Sequence, residues 1–306
     1  MVKILISEFI NKNSLNKLKK VFKVHYDEKL WKNPKKIIKI IKDFDCLIVR
    51  NKTIVNKYLL YGANKIKLVG RLGVGLDNID TKYCYAKRIH IQPATGMNAL
   101  SVAEYIGTCS LFLIKKISLF HKETLKGNWP RTIISSEELK GKNIGIIGFG
   151  SVGKKVSEYC VKIGLKVLVY DKYLKKFKRK NKFHLSSLSF LLKNSDIISL
   201  HVPLTKESKN LINRKSFTKM KKKPIIINTS RGSIINERDL FDAYDKNLIS
   251  GFALDVFDNE PVQSKFLKKI KKDMNCILTP HISGVTYQSN VRVSDFIVDK
   301  VIDFFN

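Results

Sequence analysis

Three short polar segments of this 306-residue chain carry side chains suited to binding an anion and moving a proton. Asn228-Thr229-Ser230-Arg231-Gly232 comes after the apolar run Ile225–Ile227. Leu254-Asp255-Val256-Phe257-Asp258-Asn259-Glu260-Pro261 comes after Gly251–Ala253, and Thr279-Pro280-His281-Ile282-Ser283-Gly284 after Cys276–Leu278. Such runs read as buried strands, and ligands of open α/β sheets bind just past the carboxyl ends of strands. Three successive strands therefore deliver an arginine, an acid and a histidine towards one edge. Taken singly, each has a plainer explanation: a solvated turn arginine, a structural histidine beside a proline, a Glu-Pro turn. On consecutive strand ends the functional reading prevails.

The stretch from Ile144 to Asp171 strengthens it. Ile144–Ile147 reads as a buried strand, and Gly148-Phe149-Gly150-Ser151-Val152-Gly153 as a G-x-G-x-x-G turn opening a helix. Val156, Tyr159, Cys160 and Ile163 recur at i, i+3, i+4 and i+7, which puts them on one helical face. Gly164 stops that helix, Leu165–Tyr170 is the next strand, and Asp171 ends it, 18 positions after Gly153. In such a unit Gly148 permits the tight turn, Gly150 lets backbone approach a pyrophosphate, and Gly153 lets helix and strand pack closely. The pyrophosphate rests on free N–H groups at the positive end of the helix. Asp171 would accept hydrogen bonds from ribose hydroxyls and repel a 2′-phosphate, which favours NAD over NADP; Lys172, Lys175 and Lys176 nearby work against that repulsion.

The elements that must hold these residues fall into two groups. Up to about residue 96 the chain repeats a strand–helix rhythm: strands Ile4–Ile6, Lys23–Tyr26, Cys46–Val49 and Lys67–Gly70, helices Ser14–Val21 and Pro34–Lys42, and a helix from about Val55. Short apolar strands alternating with helices imply a parallel sheet covered on both faces. Asn98 to about Ser118 reads as one long apolar helix suited to a spine between domains, and Gly127-Asn128-Trp129-Pro130-Arg131 as an exposed arm. From Ile144 a second α/β domain follows, with strands Ile144–Ile147, Leu165–Tyr170, Ile197–Leu200, Ile225–Asn228, Gly251–Asp255 and Cys276–Thr279, six as in a doubled mononucleotide fold. The amphipathic segment Gln288–Phe305 should return to the first domain. The expected fold is thus α/β with two doubly wound parallel-sheet domains. A Rossmann domain over 97–284 is inserted in a flavodoxin-like substrate domain of residues 1–96 completed by 285–306.

Composition narrows the classes. Apolar content of 44% suits a globular protein, not a disordered one. The start, Met1-Val2-Lys3-Ile4-Leu5-Ile6-Ser7-Glu8, is too short and too soon acidic for a signal peptide, and no apolar run approaches the ~18 residues of a membrane span. Five scattered cysteines without a C-x-x-C pair fit reduced thiols in a cytoplasm and offer no metal site. The net charge of +32 could signal nucleic acid. However, the lysines are spread along the chain, densest at Lys175–Lys182, Lys219–Lys223 and Lys265–Lys272, with no nucleic-acid-binding motif. They read as solvated faces that also attract anionic substrate and cofactor.

With these segments in view the chain resembles the D-isomer-specific 2-hydroxyacid dehydrogenase family, and within it most closely the D-3-phosphoglycerate dehydrogenases, over nearly its whole length. The resemblance rests on Gly70-Arg71-Leu72-Gly73-Val74-Gly75-Leu76-Asp77-Asn78-Ile79-Asp80, on Asn98 through Glu104, on the glycine turn, on His201-Val202-Pro203-Leu204-Thr205 and on the three segments above. It implies that Arg231 binds the substrate carboxylate and polarises the oxygen at carbon 2. His281 is the implied general acid/base, with Glu260 paired to it, favouring its protonated form and fixing its ring. Val74 and Gly75 are implied to offer backbone N–H groups to the carboxylate, and Arg50 to fork onto a terminal phosphate. Gly148, Gly150, Ser151, Val152, Gly153, Asp171, His201, Pro203, Thr229 and Asp255 are implied to line NAD, and no metal is needed. The expected reaction is oxidation of 3-phosphoglycerate to 3-phosphohydroxypyruvate. Alternatives are a glyoxylate/hydroxypyruvate reductase, another D-2-hydroxyacid dehydrogenase, or an NAD-sensing, corepressor-like binding protein on the same fold. A homodimer or higher homo-oligomer of the short form, without C-terminal regulatory domains, is expected.

Overall fold

A computed structural model describes residues 1–132, 136–177, 182–271 and 273–306. Parts of the lysine clusters at 175–182 and 265–272 lie outside the described residues. The chain divides into two compact units: residues 1–98 with 285–306, and residues 99–284.

The first unit runs β1 (Lys3–Ile6), α1 (Lys12–Lys19), β2 (Lys23–Tyr26), α2 (Pro34–Ile41), β3 (Cys46–Val49), β4 (Leu68–Arg71), α3 (Thr81–Ala86) and β5 (His90–Pro93). The strands pair in parallel in the order β2-β1-β3-β4-β5, the flavodoxin-like arrangement whose direction reverses between β1 and β3. Alternate residues of each strand feed opposite faces, as the pleat requires. Ile4, Ile6, Cys46 and Ile48 enter one core cluster, Leu5, Leu47 and Val49 the other.

The second unit continues with α4 (Ala99–Ile114), α5 (Ile117–Leu125), β6 (Asn143–Ile147), α6 (Ser151–Lys162), β7 (Lys166–Tyr170), β8 (Phe183–Leu185), α7 (Leu188–Asn194) and β9 (Ile197–Leu200). It closes with α8 (Arg214–Phe217), β10 (Ile225–Asn228), α9 (Glu237–Asp245), β11 (Gly251–Leu254), α10 (Ser264–Leu267) and β12 (Cys276–Leu278). Its parallel sheet is ordered β12-β11-β10-β9-β6-β7-β8, so the winding reverses between β6 and β9. Helix α4 packs on α6, where Gly107 permits the approach: a Cβ there would stand 2.5 Å from the Tyr159 ring. The last helix, α11 (Tyr287–Phe305), belongs to the first unit and sets Val293, Ile297, Val298 and Val301 against Ile4, Ile48 and Leu68.

Four expectations need correction. The second sheet has seven strands, not six. Phe183–Leu185 is an edge strand of three residues with His184 outward, too short and too polar to register as an apolar run. The helix from about Val55 is absent; Val55 instead bridges Ile79, and residues 56–63 form turns stabilised mostly by i→i−3 bonds, ending near Gly62 at φ +75°. The helix expected to reach Ser118 stops at Ile114, because Lys116 takes φ +51° and α5 begins anew. The first unit also contains α3 and β5, which were not anticipated. No helix among the described residues is long and apolar enough to cross a membrane.

Candidate active site

The parallel sheet of the second unit lines up its carboxyl ends, and the sequence-predicted residues follow in sheet order. From one side they run His281 after β12, Asp255 and Glu260 after β11, and Thr229 and Arg231 after β10. Next come His201 and Pro203 after β9, Gly148–Gly153 after β6, and Asp171 after β7. With strands ~4.8 Å apart, the six ends span about 24 Å. Residues scattered over more than 130 positions of sequence thus become one row.

At the reversal between β6 and β9 two loops touch. Gly148 has φ +97°, and a Cβ on it would lie 2.7 Å from the His201 backbone, so only glycine fits. Gly153 is equally constrained, since its Cβ would meet the Gly148 carbonyl oxygen at 2.1 Å. Gly150 differs: it is exposed at φ −72° and nothing lies within 4 Å of its Cβ position. The first turn of α6 has no side-chain cap, which leaves its N–H groups pointing at the open edge. Asp171 accepts hydrogen bonds from Phe149 N at 2.8 Å and Tyr173 N at 2.9 Å, and its remaining lone pairs stay available. The hydroxyl of Thr229 is buried without a hydrogen-bond partner. An uncapped helix start, open space over Gly150 and an orphaned hydroxyl fit the dinucleotide expected from the sequence. His201 shares a 2.9 Å contact between its Nε2 and Ser199 Oγ, and burial of its ring draws its pKa down to about 3.

At the other end of the row His281 Nδ1 meets Glu260 Oε2 at 2.8 Å, both side chains being substantially exposed. His281 itself has φ +57°, a sparsely populated conformation that persists where its surroundings enforce it. Asp255 enforces it. This carboxylate is fully buried; Oδ1 accepts from Thr279 Oγ1 at 2.5 Å and Ile282 N at 2.8 Å, and Oδ2 accepts from Ser283 N at 2.8 Å. Tyr105 adds a 2.6 Å hydroxyl contact to Thr279. Asp255 therefore grips the histidine loop on both sides, before and after His281. The sequence marked the residue without exposing this role, because two of its three partners are main-chain groups.

The neighbouring turns are interlocked as well. Asn228 Oδ1 accepts from Ser230 N, and its amide donates to the Arg231 carbonyl at 2.9 Å. Gly232 lies so close to Phe257 that a Cβ would stand 2.0 Å from its carbonyl carbon. Ser233 Oγ donates to Asp258 at 2.6 Å, and Glu260 Oε1 accepts from Phe257 N at 3.2 Å. The Arg231 turn and the Glu260 turn are thus fixed to each other. Arg231, half-buried, donates to the Ser230 carbonyl at 2.5 Å.

Arg50, Val74 and Gly75 belong to the first unit, after the adjacent strands β3 and β4. All three are half-buried. The Arg50 guanidinium donates to Asn290 Oδ1 at 2.7 Å and stands 5.8 Å from the Phe9 ring centroid. Among the described residues no group of three or more His, Cys, Asp or Glu side chains is placed to hold a metal.

Residues 108–283 match the family described as "D-isomer specific 2-hydroxyacid dehydrogenase, NAD binding domain". The chain is 35% identical to the (S)-sulfolactate dehydrogenase of Chromohalobacter salexigens, over 98% of this chain and 97% of that one. It is 32% identical to the D-3-phosphoglycerate dehydrogenase of Archaeoglobus fulgidus, covering 99% of this chain but 57% of that protein. Among solved structures, D-lactate dehydrogenase from Aquifex aeolicus complexed with NAD and lactic acid is similar at a TM-score of 0.84 and 30% identity, covering 99% and 95% of the two chains.

Proposed function

The chain belongs to the D-isomer-specific 2-hydroxyacid dehydrogenase family and is an NAD-dependent oxidoreductase; we propose that it interconverts 3-phosphoglycerate and 3-phosphohydroxypyruvate. The observation that carries the chemistry is the 2.8 Å His281–Glu260 pair, set at one end of a row whose other end is a glycine turn and Asp171. NAD supplies the hydride acceptor or donor for carbon 2 when bound. The uncapped start of α6, Gly150, Ser151 and Val152 hold its pyrophosphate. Asp171 takes the ribose hydroxyls, and His201, Pro203 and Thr229 line the remainder.

His281 has one nitrogen committed to Glu260, so Nε2 is the atom left to receive the hydroxyl proton of carbon 2 in oxidation and return it in reduction. Glu260 fixes the ring and stabilises the imidazolium formed when the proton arrives. Arg231 binds the substrate carboxylate and polarises the oxygen at carbon 2. Val74 and Gly75 donate backbone N–H groups to the carboxylate, and Arg50 takes the distal phosphate. Sulfolactate, the substrate named in the 35%-identical relative, carries a sulfonate where phosphoglycerate has its phosphate, and is the second reading. Glyoxylate and hydroxypyruvate lack that anion.

A panel of 3-phosphoglycerate, sulfolactate, lactate, glyoxylate, hydroxypyruvate and 3-phosphohydroxypyruvate, followed through NADH absorbance, tests the assignment. Acids with a distal anion should give the highest kcat/KM. His281→Ala should lower kcat by about 10²-fold or more at unchanged NADH affinity. Full turnover in that variant overturns the mechanism; silence on every acid with NADH binding intact favours the corepressor-like reading.

A further inference from the structure

The crevice of the first unit lies where its sheet reverses, between β1 and β3, and it is filled from within. Glu8, two residues past β1 and 3% exposed, accepts hydrogen bonds from four consecutive backbone N–H groups beyond β3. Oε1 takes Arg50 N at 2.9 Å and Thr53 N at 2.9 Å; Oε2 takes Asn51 N at 3.2 Å and Lys52 N at 3.0 Å. These four bonds match the acceptor capacity of a carboxylate. The carbonyls of the same loop are gripped from the other side: the Asn78 amide donates to Arg50 O at 3.2 Å and Thr53 O at 2.8 Å. Ser7 and Thr53 add a buried hydroxyl contact at 2.8 Å.

Main-chain groups that would otherwise cradle an exogenous anion are thus occupied by the protein's own carboxylate. The consequence falls on Arg50. Its backbone is fixed by Glu8 and Asn78, and its guanidinium by Asn290 of α11 and the Phe9 ring. Asn290 contributes a neutral oxygen, and Glu8 accepts its hydrogen bonds from backbone N–H groups, so among the described contacts the fork is held in place without a carboxylate forked onto it. Asn78 also lies in the segment that carries Val74 and Gly75, which ties both proposed substrate-binding loops of this unit together.

We infer that Glu8 is a positioning residue for substrate selection: with Asn78 and Asn290 it pre-organises Arg50 to receive the distal anion of the substrate. This rests on the reading that Arg50 contacts substrate, and the test separates the two.

In the full chain, Glu8→Gln turns one acceptor oxygen into a donor facing two N–H groups, which loosens the loop. KM for 3-phosphohydroxypyruvate should rise on the order of 10- to 100-fold, the scale of a misplaced binding group. The kcat value should change by about twofold or less, NADH affinity should hold, and Glu8→Asp should recover part of the loss. Asn290→Ala, which leaves the buried loop intact, should raise the same KM about threefold and carries the test if Glu8→Gln does not fold. For either variant the KM effect should vanish in an Arg50→Met background. An equal increment with and without Arg50, or wild-type KM in both variants, overturns the positioning role. Wild-type KM for 3-phosphohydroxypyruvate, sulfopyruvate and glyoxylate in Arg50→Met alone overturns instead the reading of Arg50 on which it rests.

Discussion

Replacing His201 by glutamine should flatten the acid limb of the stability of the second unit. His201 stands where the β9 loop touches the glycine turn, and burial of its ring lowers its pKa from 6.5 to about 3. The unfolded chain protonates this histidine near pH 6.5, whereas the folded chain keeps it neutral until about pH 3. Folding stability from this group is therefore complete above pH 6.5, falls as pH drops below it, and stops falling near pH 3. At pH 5 the separation from 6.5 is 1.5 pH units; at about 1.36 kcal/mol each, the loss is about 2 kcal/mol. For a unit of this size that corresponds to about 4–8 °C in Tm. Glutamine carries no titrating group and can retain a hydrogen bond to Ser199, so His201→Gln should lack this component at every pH. Calorimetry at pH 7, 6 and 5 would read the difference, taking the transition that added NADH raises as that of the second unit. Between pH 7 and 5 the wild-type Tm should fall about 4–8 °C further than the variant's. Parallel curves would mean that His201 titrates in the fold as it does in the unfolded chain, and would refute the reasoning.

Three further perturbations separate binding, folding and turnover. Gly150→Ala should leave Tm unchanged, since its Cβ meets nothing within 4 Å, yet weaken NADH binding by filling the space over the turn; unchanged affinity by fluorescence titration would contradict the cofactor site. Gly148→Ala forces a Cβ at φ +97° against the His201 backbone and should destabilise by about 3 kcal/mol, the upper range for backbone strain, measured by urea unfolding. Asp255→Asn leaves one N–H of the histidine loop facing an amide donor. It should cost about 2–4 kcal/mol and lower kcat on the order of tenfold, with NADH affinity within about twofold; a wild-type kcat would show that the loop holds His281 without this carboxylate.

Periodicity exposed the elements that place the row of candidate residues, because strands buried on both faces are continuous apolar runs. Ile197–Leu200 and Ile225–Asn228 stand out for that reason. Phe183–Leu185 does not, since an edge strand needs to be apolar only where a neighbour covers it. Sequence also cannot distinguish one helix from two when the break is a lysine taking φ +51°, as Lys116 does within an otherwise apolar stretch. Arg231, Glu260 and His281 stand out in the sequence as candidates because side-chain chemistry announces itself by residue type. Glu8, Asn78 and Asn290 do not, because their partners are backbone groups of a distant loop or a side chain 240 positions away. Glu8 in particular reads as one more surface acid near the chain start.

Several exposed acids of this lysine-rich chain and the buried pair Glu8 and Asp255 take different partners, and the contrast has a physical cause. Exposed carboxylates such as Glu158, Glu207 and Asp245 pair with lysines, contacts that are screened by salt and contribute little. Asp255 and Glu8, both buried, instead take backbone N–H groups beyond strand ends. A buried carboxylate paired with a lysine would desolvate two charges, whereas one surrounded by N–H groups desolvates a single charge and satisfies donors that would otherwise be orphaned. Each such acid converts charge into loop geometry, and in both units that geometry bears on a residue proposed above to act on substrate: Arg50 above Glu8, His281 above Asp255. On that proposal neither acid needs to touch a reactant to influence the reaction. Each would fix in advance the orientation that the proposed binding or proton transfer requires, so that little ordering would remain when substrate arrives.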